Sequence, residues 1–198
     1  MLAFLFHVLE YGGYADLCNK AYASDTGNTE TVAKMIQDEI GQEVVTLHQV
    51  HTIELTDVLR QYDFFILDIP TWYDGEMQTD WQDNAEELTK LNLTGLKFAV
   101  YGLGDQEDWG EYFCNAMGAL AERVSSSGAT LLGHWPAENY HFTEAKALID
   151  RKTFVGLALD EDRLADLTAT RIVNWIKQLQ NELQINNWEV TDPTSAAA

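Results

Sequence analysis

Basic side chains are scarce in this chain: 12 Lys and Arg stand against 32 Asp and Glu in 198 residues, a formal net charge of −20. Phosphate backbones and anionic membranes are held by a basic face, so the balance argues against both as partners. It favours partners that present basic surfaces. Cysteine is nearly absent as well. Cys18 and Cys114 are too few for a disulfide framework and fit a reduced compartment. No apolar stretch approaches the ~20 residues that span a bilayer. The run Leu2 to Leu9 has no basic region before it and no small-residue cleavage site after it, and Glu10 follows at once, so it is not read as a targeting segment. No internal repeat is visible. His134 and His141 are not paired at metal-ligand spacing, all five histidines are read as non-ligands, and no Ser–His–Asp arrangement is evident.

What is present is apolar and aromatic: 46% hydrophobic and 11% aromatic residues. A chain of this length forms about one domain and hides roughly 70% of its unfolded surface. From Ser24 onward, strand and helix patterns alternate. Val32, Ala33, Ile36 and Ile40 recur at helical spacing over Glu30 to Ile40, and Gly41 ends the run. Short strands are predicted at Glu43 to Leu47, Phe64 to Ile69, Lys97 to Gly102, Ala129 to Trp135 and Thr153 to Leu159. A helix is predicted over Glu111 to Ser125. A longer closing helix runs from Thr168, read as its cap, to Leu183, with a stripe of Ile172, Trp175, Ile176, Leu179 and Leu183. Such alternation implies parallel strands joined by right-handed helical crossovers, with ligands beyond the carboxyl ends of the strands. Asn186 to Ala198, polar and then alanine-rich, reads as a flexible tail.

The segments that follow the strands therefore carry the chemistry. Ser24-Asp25-Thr26-Gly27-Asn28-Thr29 sits before a helix and offers three hydroxyls, a glycine and free N–H groups, a phosphate cradle without a cation. The same residues also suit an ordinary capped helix start. Pro70-Thr71-Trp72-Tyr73-Asp74-Gly75 follows the FFILDI run and sets two adjacent aromatics in a strand-end loop, a stacking platform for a planar ligand or a surface turn. Gly102-Leu103-Gly104-Asp105-Gln106-Glu107-Asp108-Trp109 follows the third run. Its glycines permit close backbone approach and Trp109 is a further ring. Cys114 reads as a small packing residue. Together the three loops describe a site for a flat, phosphorylated cofactor.

These residues, in the motifs SDTGNTE, IPTWYDGE, YGLGDQEDWGEYFCNA, GATLLGHWP and FVGLALDED, resemble the flavodoxins, specifically the long-chain bacterial type. The resemblance runs from about Tyr22 to Leu183. It implies a flavodoxin-like three-layer sandwich: a five-stranded parallel sheet of order 2-1-3-4-5, with helices on both faces and an insertion, Pro136 to Lys152, that splits the last strand. It implies bound flavin mononucleotide (FMN) and low-potential, one-electron transfer rather than catalysis on a substrate. By position, Ser24, Asp25, Thr26, Gly27, Asn28 and Thr29 take the phosphate. Pro70, Thr71, Trp72, Tyr73 and Gly75 take one ring face, with Trp72 as the inner stacking residue. Gly102, Leu103, Gly104 and Asp105 form the second ring loop, and Trp109 stands where the family usually has an outer stacking tyrosine. Asn115 falls where many members have aspartate. Implied partners are an NADPH-dependent flavodoxin reductase and low-potential acceptor enzymes. The protein is expected to be a cytoplasmic monomer that binds neither nucleic acid nor membrane.

Residues 54–112 hold 14 acidic and 3 basic side chains, net −11. A carboxylate ~7 Å from the ring, at an effective dielectric of ~20, opposes an added electron by roughly 2 kcal/mol, on the order of 100 mV. Solvated charges that support solubility are the other reading of the same residues.

Residues 1–21 form an atypical segment before a domain at 22–184 and a tail at 185–198. Asp16, Asn19 and Lys20 suit a doubly buried central strand poorly. Either the segment comes from a mis-assigned start or frame, or the chain tolerates a weak first strand. The run Leu2 to Val8 is not expected to substitute, because about 15 residues separate it from Ser24. Asp68 stands where a glycine is usual, and a buried carboxylate there needs a partner or a raised pKa. Two further functions stay open: a flavodoxin-like NAD(P)H:quinone reductase, and a flavodoxin-like module without its cofactor. The carboxylate-rich rim disfavours the first by repelling dinucleotide phosphates.

Overall fold

A computed structural model describes residues 4–8, 28–59, 62–77 and 79–185. Ser24 to Gly27, Asp16 to Ala23 and Asn186 to Ala198 lie outside the described residues. The main sheet comprises β1 (Phe4–Val8), β2 (Val45–Gln49), β3 (Phe64–Trp72), the two-residue β4 (Glu76–Met77), β5 (Lys97–Leu103), β6 (Thr130–Leu132) and β10 (Leu157–Leu159). Its path is β10-β5-β3-β1-β2, with β4 on β3 and β6 on β5. A small antiparallel sheet joins β7 (Trp135–Pro136), β9 (Thr153–Phe154) and β8 (Leu148–Asp150).

The sheet is mixed, which corrects the all-parallel expectation. β1 is antiparallel to both neighbours: Phe6 lies opposite Leu47 and Ile66. The apolar run near the amino terminus thus fills the central position next to β3 that it was not expected to reach. An antiparallel strand relaxes the linkage constraint, because it need not run straight into the loop before the next helix. The expected strand at Thr153 to Leu159 is broken in two: β9 pairs in the small sheet, and β10 continues beside β5. Gly156 lies between them, pressed against the Val100 backbone. The stretch Ala129 to Trp135 divides likewise into β6 and β7.

β3 and β5 are buried on both faces, and their side chains alternate between two cores. Phe65, Leu67, Ile69, Phe98 and Val100 face one cluster together with α3 (Thr79–Lys90) and α4 (Asn115–Ser126). Phe64, Ile66, Ala99, Tyr101 and Leu103 face the other with α1 (Asn28–Ile40) and α5 (Ala165–Leu183). The short α2 (Leu55–Leu59) closes the first layer. Helix α3 has no counterpart in the sequence reading, although Trp81, Ala85 and Leu88 recur at helical spacing and are buried. Buried indole N–H groups are answered by main-chain oxygens: Trp81 donates to Asp68 O at 2.7 Å and Trp175 to Gly133 O at 2.7 Å. Thr168 is not the cap of α5. Leu164 is, and Thr168 sits one turn in, buried, with its hydroxyl donating to the Glu161 carboxylate. No described helix is long and apolar enough to cross a membrane.

Candidate functional site

β3 and β5 run parallel, and their pairing ends where Pro70 lies opposite Leu103. The segments that leave these ends therefore emerge side by side. They enclose a cleft of about 60 Å³ lined by Thr71, Tyr73, Gly104, Asp105, Trp109, Tyr112 and Phe113. Tyr73 is 71% exposed and Trp109 52%, so two rings stand at the mouth of the cleft with little holding them. The cleft is water-sized as it stands.

The Thr71 hydroxyl oxygen is buried and has no hydrogen-bond partner among the described residues. A buried polar atom without a partner costs free energy, so an orphan hydroxyl in a cleft wall marks a place for a ligand's polar atom. The 72–75 turn brings Thr71 there. Gly75 N donates to Trp72 O at 3.0 Å, and Gly75 has φ +90°, a conformation that L side chains rarely adopt. A Cβ at Gly75 would also meet Asn115 Nδ2 at 2.9 Å. Asn115 in turn accepts from Lys146 N at 2.6 Å, so it links the turn to the segment that carries the small sheet.

Five of the expected residues come together here: Thr71, Tyr73, Gly104, Asp105 and Trp109. Trp72 does not line the cleft. It is half-buried, edge-on to Tyr73 with ring centroids 5.7 Å apart. Pro70, within β3, and Leu103, the last residue of β5, are buried. Gly102 faces the core, where a Cβ would meet Met117 Cβ at 2.9 Å, so packing against α4 explains its size. Asn28 and Thr29 open α1. Tyr112 and Phe113 line the cleft but were not picked out, although they directly follow the QEDWGE run.

Asp105 is the most connected carboxylate of the site. Its Oδ1 accepts from Glu107 N at 2.9 Å and Asp108 N at 3.0 Å, and Arg163 approaches both oxygens at 3.3 Å. Burial alone would push its pKa up. The Asp108 N–H, the Arg163 side chain and the Glu107 N–H outweigh burial and hold it below 3.8. A carboxyl held below its ordinary value contributes stability above that value and loses it as pH falls through the folded-state value. NMR titration of the Asp105 carboxyl is therefore expected to show a midpoint below 3.8, with the loop's amides losing protection over the same interval. A midpoint at the ordinary value would show these bonds to be absent in solution.

Burial, then the nearby Asp160 charge, pushes the Cys114 thiol far up. The thiol is buried against Gly102 O, which fits the packing reading. Asp68 is fully buried opposite Tyr101, whose phenol is raised first by burial and then by the Asp68 charge. Among the described residues no group of three His, Cys, Asp or Glu is placed to hold a metal.

Residues 21–175 match the Flavodoxin family model. Flavodoxin 1 of Escherichia coli K12 is 47% identical over 165 residues, covering 83% of this chain and 93% of that protein. A flavodoxin of Haemophilus influenzae is 42% identical over 162 residues, covering 82% and 92%. Among solved structures, a Fusobacterium nucleatum flavodoxin bound to flavin mononucleotide superposes with a TM-score of 0.74 at 28% identity, covering 80% of this chain and 93% of that one.

Proposed function

Because the chain belongs to the flavodoxin family, we propose that it carries electrons singly on a non-covalently bound FMN, and that it acts on no substrate of its own. The observation that carries this reading is the orphan Thr71 hydroxyl in a cleft flanked by Tyr73 and Trp109. A flat ring with polar edges satisfies both features: the rings supply faces, and Thr71 supplies a donor or acceptor. Bound there, the flavin supplies the redox chemistry. The chain's own residues bind and orient it. Tyr73 and Trp109 would hold the ring, Gly104 and Asp105 would line the pocket around it, and Ser24 to Thr29, which lead into α1 in the sequence, would take the phosphate. Trp72 packs behind Tyr73.

The carboxylates Asp74, Glu76, Glu107, Asp108 and Glu111 are exposed on the two chain segments that wall the cleft. They suit basic partner surfaces, which supports an NADPH-dependent flavodoxin reductase as donor and low-potential enzymes as acceptors. In this reading the domain spans residues 22–184 and works as a cytoplasmic monomer.

Titration of the full chain with FMN, followed by quenching of flavin fluorescence, tests the reading. Saturable one-to-one uptake is expected, and no uptake would overturn it. Thr71→Val is expected to leave the stability of the flavin-free protein within about 0.5 kcal/mol, since no internal hydrogen bond is lost. The same change should weaken FMN binding about tenfold, one hydrogen bond's worth. Equal affinity for the variant would remove Thr71 from the site.

A further inference from the structure

The loop at 104–112 walls the cleft and carries Asp105, Glu107, Asp108 and Glu111. A single basic side chain, distant in sequence, answers three of them. Arg163 Nε and Nη2 each lie 3.3 Å from an oxygen of Asp105, Nη2 lies 2.6 Å from Asp108 Oδ2, and Nη1 lies 3.6 Å from Glu107 Oε2. Among the described residues, no other Lys or Arg forms an ion pair with this loop.

The loop backbone is held by other means. Buried Asp160 accepts from Gln106 N at 3.1 Å, Asp162 N at 3.2 Å and Arg163 N at 3.0 Å. Gln106 Oε1 accepts from His141 N at 2.6 Å, and Gly104 N donates to Leu159 O at 3.0 Å. None of these bonds uses the guanidinium. Charge and geometry are thus separable at Arg163: removing the head group leaves the backbone anchors and exposes three carboxylates.

We infer that Arg163 is the positioning and charge-compensating residue that sets how strongly this pocket distinguishes reduced from oxidised FMN. The inference rests on the FMN reading above. Reduction adds negative charge to the ring, which the loop carboxylates oppose and the guanidinium offsets. Exposed ion pairs contribute little to folding, so the effect falls on the ligand's charge preference rather than on stability. It is also screened by salt, since the group is partly solvated.

The test uses the full chain and its Arg163→Gln, Arg163→Lys and Asp108→Asn variants. FMN dissociation constants are measured for the oxidised and the chemically reduced flavin, at low salt and at about 0.5 M salt, where the Debye length shrinks to a few ångströms. For Arg163→Gln, affinity for oxidised FMN stays within about twofold. Affinity for reduced FMN falls about tenfold at low salt, equivalent to about 30 mV on the two-electron couple. High salt shrinks the change, Arg163→Lys restores most of it, and Asp108→Asn shifts the ratio the other way. In the flavin-free protein, the Asp105 carboxyl of Arg163→Gln titrates higher than in the parent.

A reduced-to-oxidised affinity ratio unchanged in Arg163→Gln overturns the inference. So does an equal fall in both affinities, which marks a purely structural role, or a change in ratio indifferent to salt. If Arg163→Gln does not fold, the separability argument fails, and a ratio unmoved in Asp108→Asn overturns the remainder. If the parent protein takes up no FMN, the functional reading itself falls and this inference with it. A parent that binds FMN beside an Arg163→Gln variant with an unchanged ratio removes this inference alone.

Discussion

Gly156→Ala lowers folding stability by about 3 kcal/mol or more, at or beyond the upper end of ordinary overpacking costs. The cause is steric and local. A Cβ on Gly156 would lie 2.0 Å from Val100 O and 2.6 Å from Val100 Cγ2. Val100 is fully buried in the middle of β5 and paired with Leu67 of β3, so it has nowhere to go. Gly156 must therefore move, and β10 begins at the next residue, in register with Tyr101, Gly102 and Leu103. Loss of that register also removes the bond from Gly104 N to Leu159 O, which holds one wall of the cleft. Urea denaturation checks the expectation. Adding Val100→Ala does not rescue the variant, because the nearest atom is a main-chain oxygen. Near-parental stability of Gly156→Ala would mean that β10 does not pack on β5 as described.

Trp109→Ala separates binding from folding in the opposite sense. The ring is 52% exposed at the mouth of the cleft. Its removal changes the stability of the flavin-free protein by no more than about 0.5 kcal/mol, as for other surface positions. FMN affinity falls roughly 10- to 100-fold, the equivalent of about 1.4–2.8 kcal/mol for a lost stacked ring and its covered area. Trp109→Tyr retains most of the affinity because it keeps a π-face. Titration by flavin fluorescence reads all three proteins. Unchanged affinity in Trp109→Ala would place the ring elsewhere, and a large loss of stability would show Trp109 to be structural.

The alternation of strand and helix was legible because each element imposes a period on its side chains. Val32, Ala33 and Ile36 mark α1, and Ile172, Trp175 and Ile176 mark α5. The strand cores were legible for the same reason: FFIL and FAVY have no room for charge when both faces are covered. Asp68 breaks that run yet is buried as the sequence implied. Less was legible where elements are short or polar. Helix α3 carries Asp, Glu, Gln and Thr around a thin apolar stripe, and the 129–135 and 153–159 runs look continuous until Gly133 and Gly156 are seen packed against neighbours.

The strand-end loops could be named from sequence because turn residues and rings cluster at fixed offsets after apolar runs. Composition and periodicity determined an acidic α/β chain with ring- and glycine-bearing loops after its strands, and the resemblance to the flavodoxins added the residue assignments, among them Thr71, Tyr73, Gly104, Asp105 and Trp109. Tertiary structure decided the rest. It placed β1 antiparallel inside the sheet, between β3 and β2, turned Gly102 toward the core, and kept the Trp72 ring out of the cleft. It also brought Arg163 across 58 residues to the Asp105 loop. The division has one physical reason. Periodicity and turn chemistry are local properties that each residue carries with it. Strand direction, the face that a side chain presents and the meeting of distant charges depend on which surfaces the whole chain buries together.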